Sequence, residues 1–255
     1  MKEIAAALMF FTRIPFYKLK AFNIDAKYFK DAINYWPVAG WVTGGVMVLV
    51  YYLSSFIFPT FVSVIFTILS RTLVTGALHE DGLADFFDGL GGGTTRERVL
   101  EIMKDSHIGT YGVLALIGHF FLLFGLITSL PGELRLPIIF VADTASKLLA
   151  SQISRFLEYA RTAESSKSKF VYIPMSTNAL ITSLVAGLAP LGMLCYIYPQ
   201  IILAIVLPIL VFYLIITILK KRINGYTGDC CGAMFLLCEL CFYMGIYISF
   251  ALYSW

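Results

Sequence analysis

The stretch IILAIVLPILVFYLIITIL, residues 201–219, carries no charged side chain and is long enough to cross the hydrocarbon core of a bilayer as one helix. On either side of this stretch, hydropathy predicts six further spans, whose ends are marked by proline, glycine and charged residues. We place the seven spans near residues 37–58, 60–78, 108–130, 136–157, 178–198, 201–219 and 232–254. The fourth is the least apolar, because it contains Asp143, Lys147 and Ser151.

The composition supports the same fold class. The chain has 255 residues, of which 59% are hydrophobic and only 14% charged, too few charges to cover the surface of a soluble domain. We therefore expect an all-α, polytopic membrane bundle of about seven transmembrane helices, forming one domain over residues 1–255. Residues 1–36 place Ile4, Leu8 and Phe11 on one helical face, which favours an N-terminal helix in the membrane interface.

Nearly all of the 19 Lys and Arg residues fall in alternate connections of this topology. Those connections are the N-terminal segment and the regions 79–107, 155–177 and 220–231. By the positive-inside rule they are cytoplasmic, so we expect a multi-pass protein of the cytoplasmic (inner) membrane with a cytoplasmic N-terminus. The formal net charge of +3 is too small to indicate a nucleic-acid partner.

The predicted loop 79–107 begins with the acidic stretch HEDGLADFFDG, residues 79–89. If this stretch is helical, Asp81, Asp85 and Asp88 lie within about 60° of one another around the helix axis. Three carboxylates on one face beside a membrane repel each other unless a cation lies between them. Oxygen ligands without cysteine favour Mg²⁺ or Mn²⁺ over zinc. The alternative is a solvated acidic face, but the intervening residues are apolar.

Cations that could bind a phosphate follow in sequence. Arg96, Arg98 and Lys104 lie in the same predicted loop, and Asp105 and Ser106 come directly before the third span. Phosphate is the usual partner of carboxylate-bound Mg²⁺, so this loop predicts phosphoryl-transfer chemistry.

Ionisable side chains inside predicted spans are costly and therefore candidates for function. Asp143 and Lys147 are spaced i, i+4 and either neutralise each other or take part in function. Lys147, Ser151 and Arg155 continue as one stripe that would suit a pyrophosphate. Asp229 precedes the last span, as a helix cap or as a further metal ligand. The remaining members of this group are Arg71 and Glu239.

The sequence resembles the cobalamin synthase family, also called adenosylcobinamide-GDP ribazoletransferase, in blocks that run in order along nearly the whole chain. The most specific block is LHEDGLAD, residues 78–85, continued by Asp88-Gly89. The others are FTRIP at 11–15, WPVAG at 36–40, EIMKDS at 101–106, GTYG at 109–112 and GYTGD at 225–229. Glu80 and the pair Cys230-Cys231 depart from the family pattern without touching the three aspartates.

The resemblance implies a Mg²⁺-dependent membrane enzyme that joins adenosylcobinamide-GDP to α-ribazole, or to its 5′-phosphate, and releases GMP. The product is adenosylcobalamin or its 5′-phosphate. The lipid bilayer is the expected environment, and a homo-oligomer or a complex with other late vitamin B12 enzymes is compatible with it. The expected metal ligands are Asp81, Asp85 and Asp88.

The expected catalytic residues are these three aspartates, with His79, Asp105 or an outer carboxylate as the base. The expected substrate-binding residues are Arg13, Arg96, Arg98, Lys104, Ser106, Lys147, Arg155 and Asp229.

Three other classes share part of the pattern. An intramembrane prenyltransferase would also use Asp81-x-x-x-Asp85, but it needs a second Asp-rich loop. A CDP-alcohol phosphotransferase shares Asp81-Gly82 but not the residues that should follow. A secondary transporter would account for the ionisable residues in the spans, although no symmetry between two halves supports it.

Overall fold

The computed structural model describes residues 1–18, 24–161, 173 and 175–253. Within them the backbone forms ten α-helices connected by turns and short 3-10 segments. These helices are α1 (Lys2–Phe11), α2 (Trp36–Ser54), α3 (Thr60–Thr75), α4 (Leu78–Gly92), α5 (Arg96–Lys104), α6 (Thr110–Ser129), α7 (Gly132–Ser151), α8 (Thr177–Ile197), α9 (Val206–Arg222) and α10 (Gly228–Tyr253). Lys20, Lys167 and Lys169, which contribute to the predicted topology, lie outside the described residues.

Six helical segments among the described residues are long and apolar enough to cross a membrane. They are Ala26–Ser54, Thr110–Ser129, Gly132–Arg155, Thr177–Ile197, Pro199–Arg222 and Gly228–Leu252. Helices α3 and α4 form a seventh candidate if they are counted as one span, bent by 87°. The predicted all-α polytopic bundle is confirmed.

The bend between α3 and α4 has a local cause. Gly76 and Ala77 both adopt left-handed backbone angles, with φ of 66° and 58°. Glycine is the usual residue that ends a helix in this way, whereas alanine is uncommon there. The chain therefore leaves α3 abruptly and starts a new helix at Leu78. As a result, residues 79–107, which hydropathy places in a loop, are mostly helical and form α4 and α5.

Helices α7 and α10 form the interior of the bundle. In an 18-residue apolar window of each helix, 67% of the residues of α7 and 56% of those of α10 are buried, compared with 22% for α6 and 28% for each of α8 and α9. The outer helices expose large apolar side chains such as Phe121 and Tyr196, a surface suited to lipid. Helix α4 packs against both α10 and α6, so the acidic stretch is held at the edge of the bundle.

The N-terminal segment folds onto the bundle as two helices. Helix α1 packs against the 3-10 helix Ala26–Tyr35 and against α2. Its Ala5, Ala6, Ala7 and Phe11 are buried in these contacts. One side of α1 is thus covered by protein. The expectation of a helix in the membrane interface did not include this packing.

Candidate active site

The three aspartates of α4 face different surroundings. Asp81 is exposed, whereas Asp85 and Asp88 are 8% and 7% exposed. The Asp88 carboxylate accepts hydrogen bonds from the backbone N–H groups of Gly109 (2.7 Å) and Gly112 (2.9 Å). Because α4 is packed between α10 and α6, the two ends of its acidic stripe meet different helices.

The expected convergence of three carboxylates is therefore not what the structure shows. Within the described ranges, no group of three or more His, Cys, Asp or Glu side chains is placed to hold a metal ion. The stripe is helical, as the spacing required, but Asp88 is directed to the start of α6.

The backbone of another acidic residue, Asp229, comes close to the helical turn that carries Asp81. A Cβ atom on Gly82 would lie only 2.9 Å from the backbone oxygen of Asp229 and 3.1 Å from its Cα. Gly232 makes the reciprocal approach, since its Cβ would lie 3.1 Å from the carbonyl oxygen of His79. Side chains at these two positions would push α4 and α10 apart. The glycines thus allow the start of α10 to bring Asp229 next to the Asp81 turn.

Asp81 and Asp229 line one cavity of about 630 Å³, a volume that includes its opening to solvent. Arg161 lines the same cavity, and its Nη1 lies 3.9 Å from Oδ2 of Asp229. The aromatic residues of the lining are Phe10, Phe11, Trp36, His79 and Tyr159. The cavity therefore combines two carboxylates and a guanidinium with an aromatic wall, a set that can bind a charged group beside a planar one.

Backbone pairing places Arg161 in this cavity. Tyr226 N–H donates to the Glu158 carbonyl (2.9 Å), and Ala160 N–H donates to the Tyr226 carbonyl (2.8 Å). The Arg161 side chain, only 5% exposed, donates from Nη2 to the Leu100 carbonyl (2.9 Å). Arg161, in the basic region 155–177, is not among the predicted site residues, because nothing in the local sequence links residues 158–161 to the turn before α10.

His79 also lines the cavity, within an aromatic cluster. Its ring lies 5.2 Å from Trp36 and 5.0 Å from Phe235, centroid to centroid, and the residue is 1% exposed. Its Nε2 has no hydrogen-bond partner among the residues described. This environment fits a packing role at least as well as a proton-accepting one.

The four ionisable residues predicted inside the spans meet in one fully buried network behind this cluster. Asp143 accepts a hydrogen bond from Thr43 (2.6 Å) and pairs with Lys147 and with Arg71, whose Nη1 lies 3.5 Å away. Arg71 also pairs with Glu239. The Lys147 ammonium lies 4.4 Å from the centre of the Phe235 ring. The predicted Asp143–Lys147 pair is confirmed, and its charges are balanced within the network.

Sequence comparison decides the family. Residues 3–247 match the family described as cobalamin-5-phosphate synthase. The chain belongs to this family.

Curated relatives agree with the cobalamin-5-phosphate synthase match. An adenosylcobinamide-GDP ribazoletransferase of Vibrio cholerae is 39% identical over 250 residues, covering 93% of this chain and 90% of the relative. The enzyme of the same name from Shewanella oneidensis is 36% identical over 242 residues, with the same coverage. No solved structure shows a significant match. The resemblance noted from the motifs is confirmed, and the protein is a transferase of cobalamin biosynthesis.

Two basic residues that were expected to bind substrate, Arg96 and Arg98, instead contact other parts of the protein. Arg96 donates from Nε to the Ile223 carbonyl (2.8 Å) and from Nη2 to Ala160, which ties α5 to the segment carrying Arg161. Arg98 forms an exposed ion pair with Glu101.

Other expected site residues lie at the surface, outside the lining of the cavity. Lys104, Asp105 and Ser106 are exposed at the end of α5 and in the turn that follows. Hydrogen bonds from the ring and backbone of His107 hold the pKa of the Asp105 carboxyl below its usual value. Arg155 is exposed and bonded to Gln152.

Arg13 and Lys147 lie next to the site without lining the cavity. Arg13 lies over the Gly76 turn, where a Cβ would be 2.3 Å from its Nε. Lys147 is fully buried in the network with Asp143. The substrate roles assigned to the residues outside the cavity remain predictions.

The residues that line the cavity fit a Mg²⁺ site in which two carboxylates bind the ion. Mg²⁺ in phosphoryl-transfer sites is usually held by one or two carboxylates, with water and substrate phosphates completing six oxygen ligands. Asp81 and Asp229 can supply that pair, with Asp85 one helical turn along α4. A cage of three carboxylates from α4 alone does not fit, because Asp88 is bonded to α6.

Proposed function

We propose that this protein transfers the phosphocobinamide group of adenosylcobinamide-GDP to α-ribazole, or to α-ribazole 5′-phosphate, and releases GMP. The product is adenosylcobalamin or its 5′-phosphate. Family membership and the names of the relatives support the substrates. The observation that carries the proposal is that Asp81, Asp229 and Arg161, from three separate parts of the chain, line one cavity.

The reaction exchanges one P–O bond for another. A ribose hydroxyl of α-ribazole attacks the phosphorus that carries the cobinamide aminopropanol oxygen, and the bond from that phosphorus to the GMP phosphate breaks. The hydroxyl proton passes to a base. Of the two named candidates, His79 lines the cavity, whereas Asp105 lies in an exposed turn.

We propose that Asp81 and Asp229 hold Mg²⁺, with Mn²⁺ as the alternative. The ion would neutralise charge on the diphosphate oxygens. Arg161 can donate to the diphosphate from its planar guanidinium, which suits phosphate oxygens. Its bond to the Leu100 carbonyl holds the guanidinium in place before substrate binds, so little is lost in ordering it.

The same proposal places the cavity on the cytoplasmic face of the inner membrane. Lys and Arg concentrate in the connections on the side of α4, α5 and the turn before α10. That distribution favours this side as cytoplasmic, where a nucleotide-activated substrate would be at hand.

The test is a product assay on the purified protein in detergent or liposomes. With adenosylcobinamide-GDP and α-ribazole, we expect time-dependent GMP release that stops with EDTA and returns with excess Mg²⁺. Prenyl diphosphate and CDP-diacylglycerol serve as matched negative substrates. Turnover of either one, or the absence of GMP with both cobalamin precursors present, would contradict the proposal.

A further inference from the structure

Asp88 supplies the N-terminal cap of a helix other than its own. Helix α6 starts after Gly109, whose missing side chain leaves the usual capping position empty. A capping side chain normally accepts a hydrogen bond from the backbone N–H two or three residues into the helix. Here Asp88 accepts that bond, from Gly112, and a second from Gly109 itself.

The backbone at Gly109 and Gly112 lies too close to this carboxylate to leave room for a side chain. A Cβ on Gly109 would lie 2.4 Å from Oδ1 of Asp88, and a Cβ on Gly112 would lie 2.4 Å from Oδ2. Asp88 is only 7% exposed, so neither its carboxylate nor a new methyl group could easily move aside. A third glycine, Gly91, lets the Tyr111 ring pack similarly close to α4.

We infer that Asp88 is a positioning residue, which fixes the start of α6 and the exposed turn 105–108 relative to the part of α4 that carries Asp81. The carboxylate does not line the cavity, and both of its oxygens are engaged by α6. This role differs from metal ligation, and it explains why an acidic residue follows Asp81 and Asp85 on the same stripe. The inference rests on the proposed transferase activity for its kinetic consequences.

The test compares removal of the cap with its replacement inside α6. Asp88→Ala removes the carboxylate. Asp88→Ala combined with Gly109→Asp gives α6 a cap of its own at a position with extended backbone (φ −97°, ψ 177°), as a capping residue requires. Ser176→Ala is the matched control, since Ser176 caps α8 through Ala179 N–H and does not line the cavity.

We expect Asp88→Ala to lower the melting temperature in detergent and to lower kcat for GMP release about 10- to 100-fold. The Mg²⁺ concentration for half-maximal rate should stay at the wild-type value. The double variant should regain the melting temperature but not kcat, because its cap no longer connects α6 to α4. Ser176→Ala should keep the wild-type kcat.

Other outcomes overturn the inference. A raised Mg²⁺ requirement in Asp88→Ala would identify Asp88 as a metal ligand. Recovery of both kcat and melting temperature in the double variant would show that Asp88 acts only as a local helix cap. If Asp88→Ala does not fold, Gly112→Ala must give the same loss of kcat with an unchanged Mg²⁺ requirement. A wild-type protein that releases no GMP would contradict the proposed function instead. The cap would then be judged by melting temperature, and an unchanged value in Asp88→Ala would disprove it.

Discussion

Asp81→Asn is expected to lower kcat for GMP release by at least about 100-fold, since it removes the proposed charged metal ligand from the cavity in which we propose that the diphosphate binds. Asp81 is exposed at the cavity, so the substitution should leave the fold intact. The measurements are steady-state GMP release as a function of Mg²⁺ concentration and the melting temperature of the same preparation in detergent. We also expect a higher Mg²⁺ requirement.

Glu97→Gln is the matched control for Asp81→Asn. It makes the same change of charge on an exposed residue of α5 that does not line the cavity. Its kcat and Mg²⁺ requirement should equal those of the wild type. If Asp81→Asn retained most of its activity, or if both variants lost the same amount, Asp81 could not be a ligand for the reacting group.

Asp143→Ala is expected to destabilise the protein by about 3–5 kcal/mol. Asp143 is fully buried and pairs with both Arg71 and Lys147, so its removal leaves two buried cations with one remaining carboxylate, Glu239. The cost comes chiefly from the uncompensated charge and not from the lost contacts. Reversible unfolding by denaturant in detergent micelles would measure the difference in the free energy of unfolding.

Glu101→Ala provides the comparison for the buried pair. It removes one partner of the Arg98–Glu101 pair, whose side chains are 57% and 69% exposed. Exposed ion pairs contribute about 1 kcal/mol or less, so this variant should be nearly as stable as the wild type. Equal effects of Asp143→Ala and Glu101→Ala would show that the intramembrane network does not stabilise the bundle.

Much of the fold can be predicted from hydropathy and residue spacing in the sequence alone. A run such as residues 201–219 can satisfy its backbone polar groups inside a bilayer only as a helix, so the spans are predictable without tertiary information. The helical stripe of α4 is predictable from spacing, and the i, i+4 spacing of Asp143 and Lys147 predicts their pairing. The left-handed turn at Gly76-Ala77 is harder, because only its first residue has the usual sequence signal.

The site was only partly predictable, because its members meet through long-range packing. Periodicity places Asp81 and Asp88 on one face of a helix, but it does not show that α10 covers one end of that face and α6 the other. Periodicity therefore could not show that the Asp88 carboxylate accepts hydrogen bonds from Gly109 and Gly112 at the start of α6. Arg161 reaches the cavity through pairing of residues 158–160 with Tyr226, a contact that no local motif encodes. Asp229 had two open interpretations, as a helix cap or as a metal ligand; it lines the cavity, and its metal role stays a prediction.

The central claim is that Asp81 and Asp229, brought together across Gly82, act as one unit on the diphosphate. A double-mutant cycle on kcat/KM for GMP release, with Asp81→Asn, Asp229→Asn and the combined variant, tests it most directly. We predict that each single substitution costs at least about 100-fold and that the combination costs little more than the worse single one. Losses that multiply, or an Asp229→Asn variant with wild-type kcat/KM, would contradict the account.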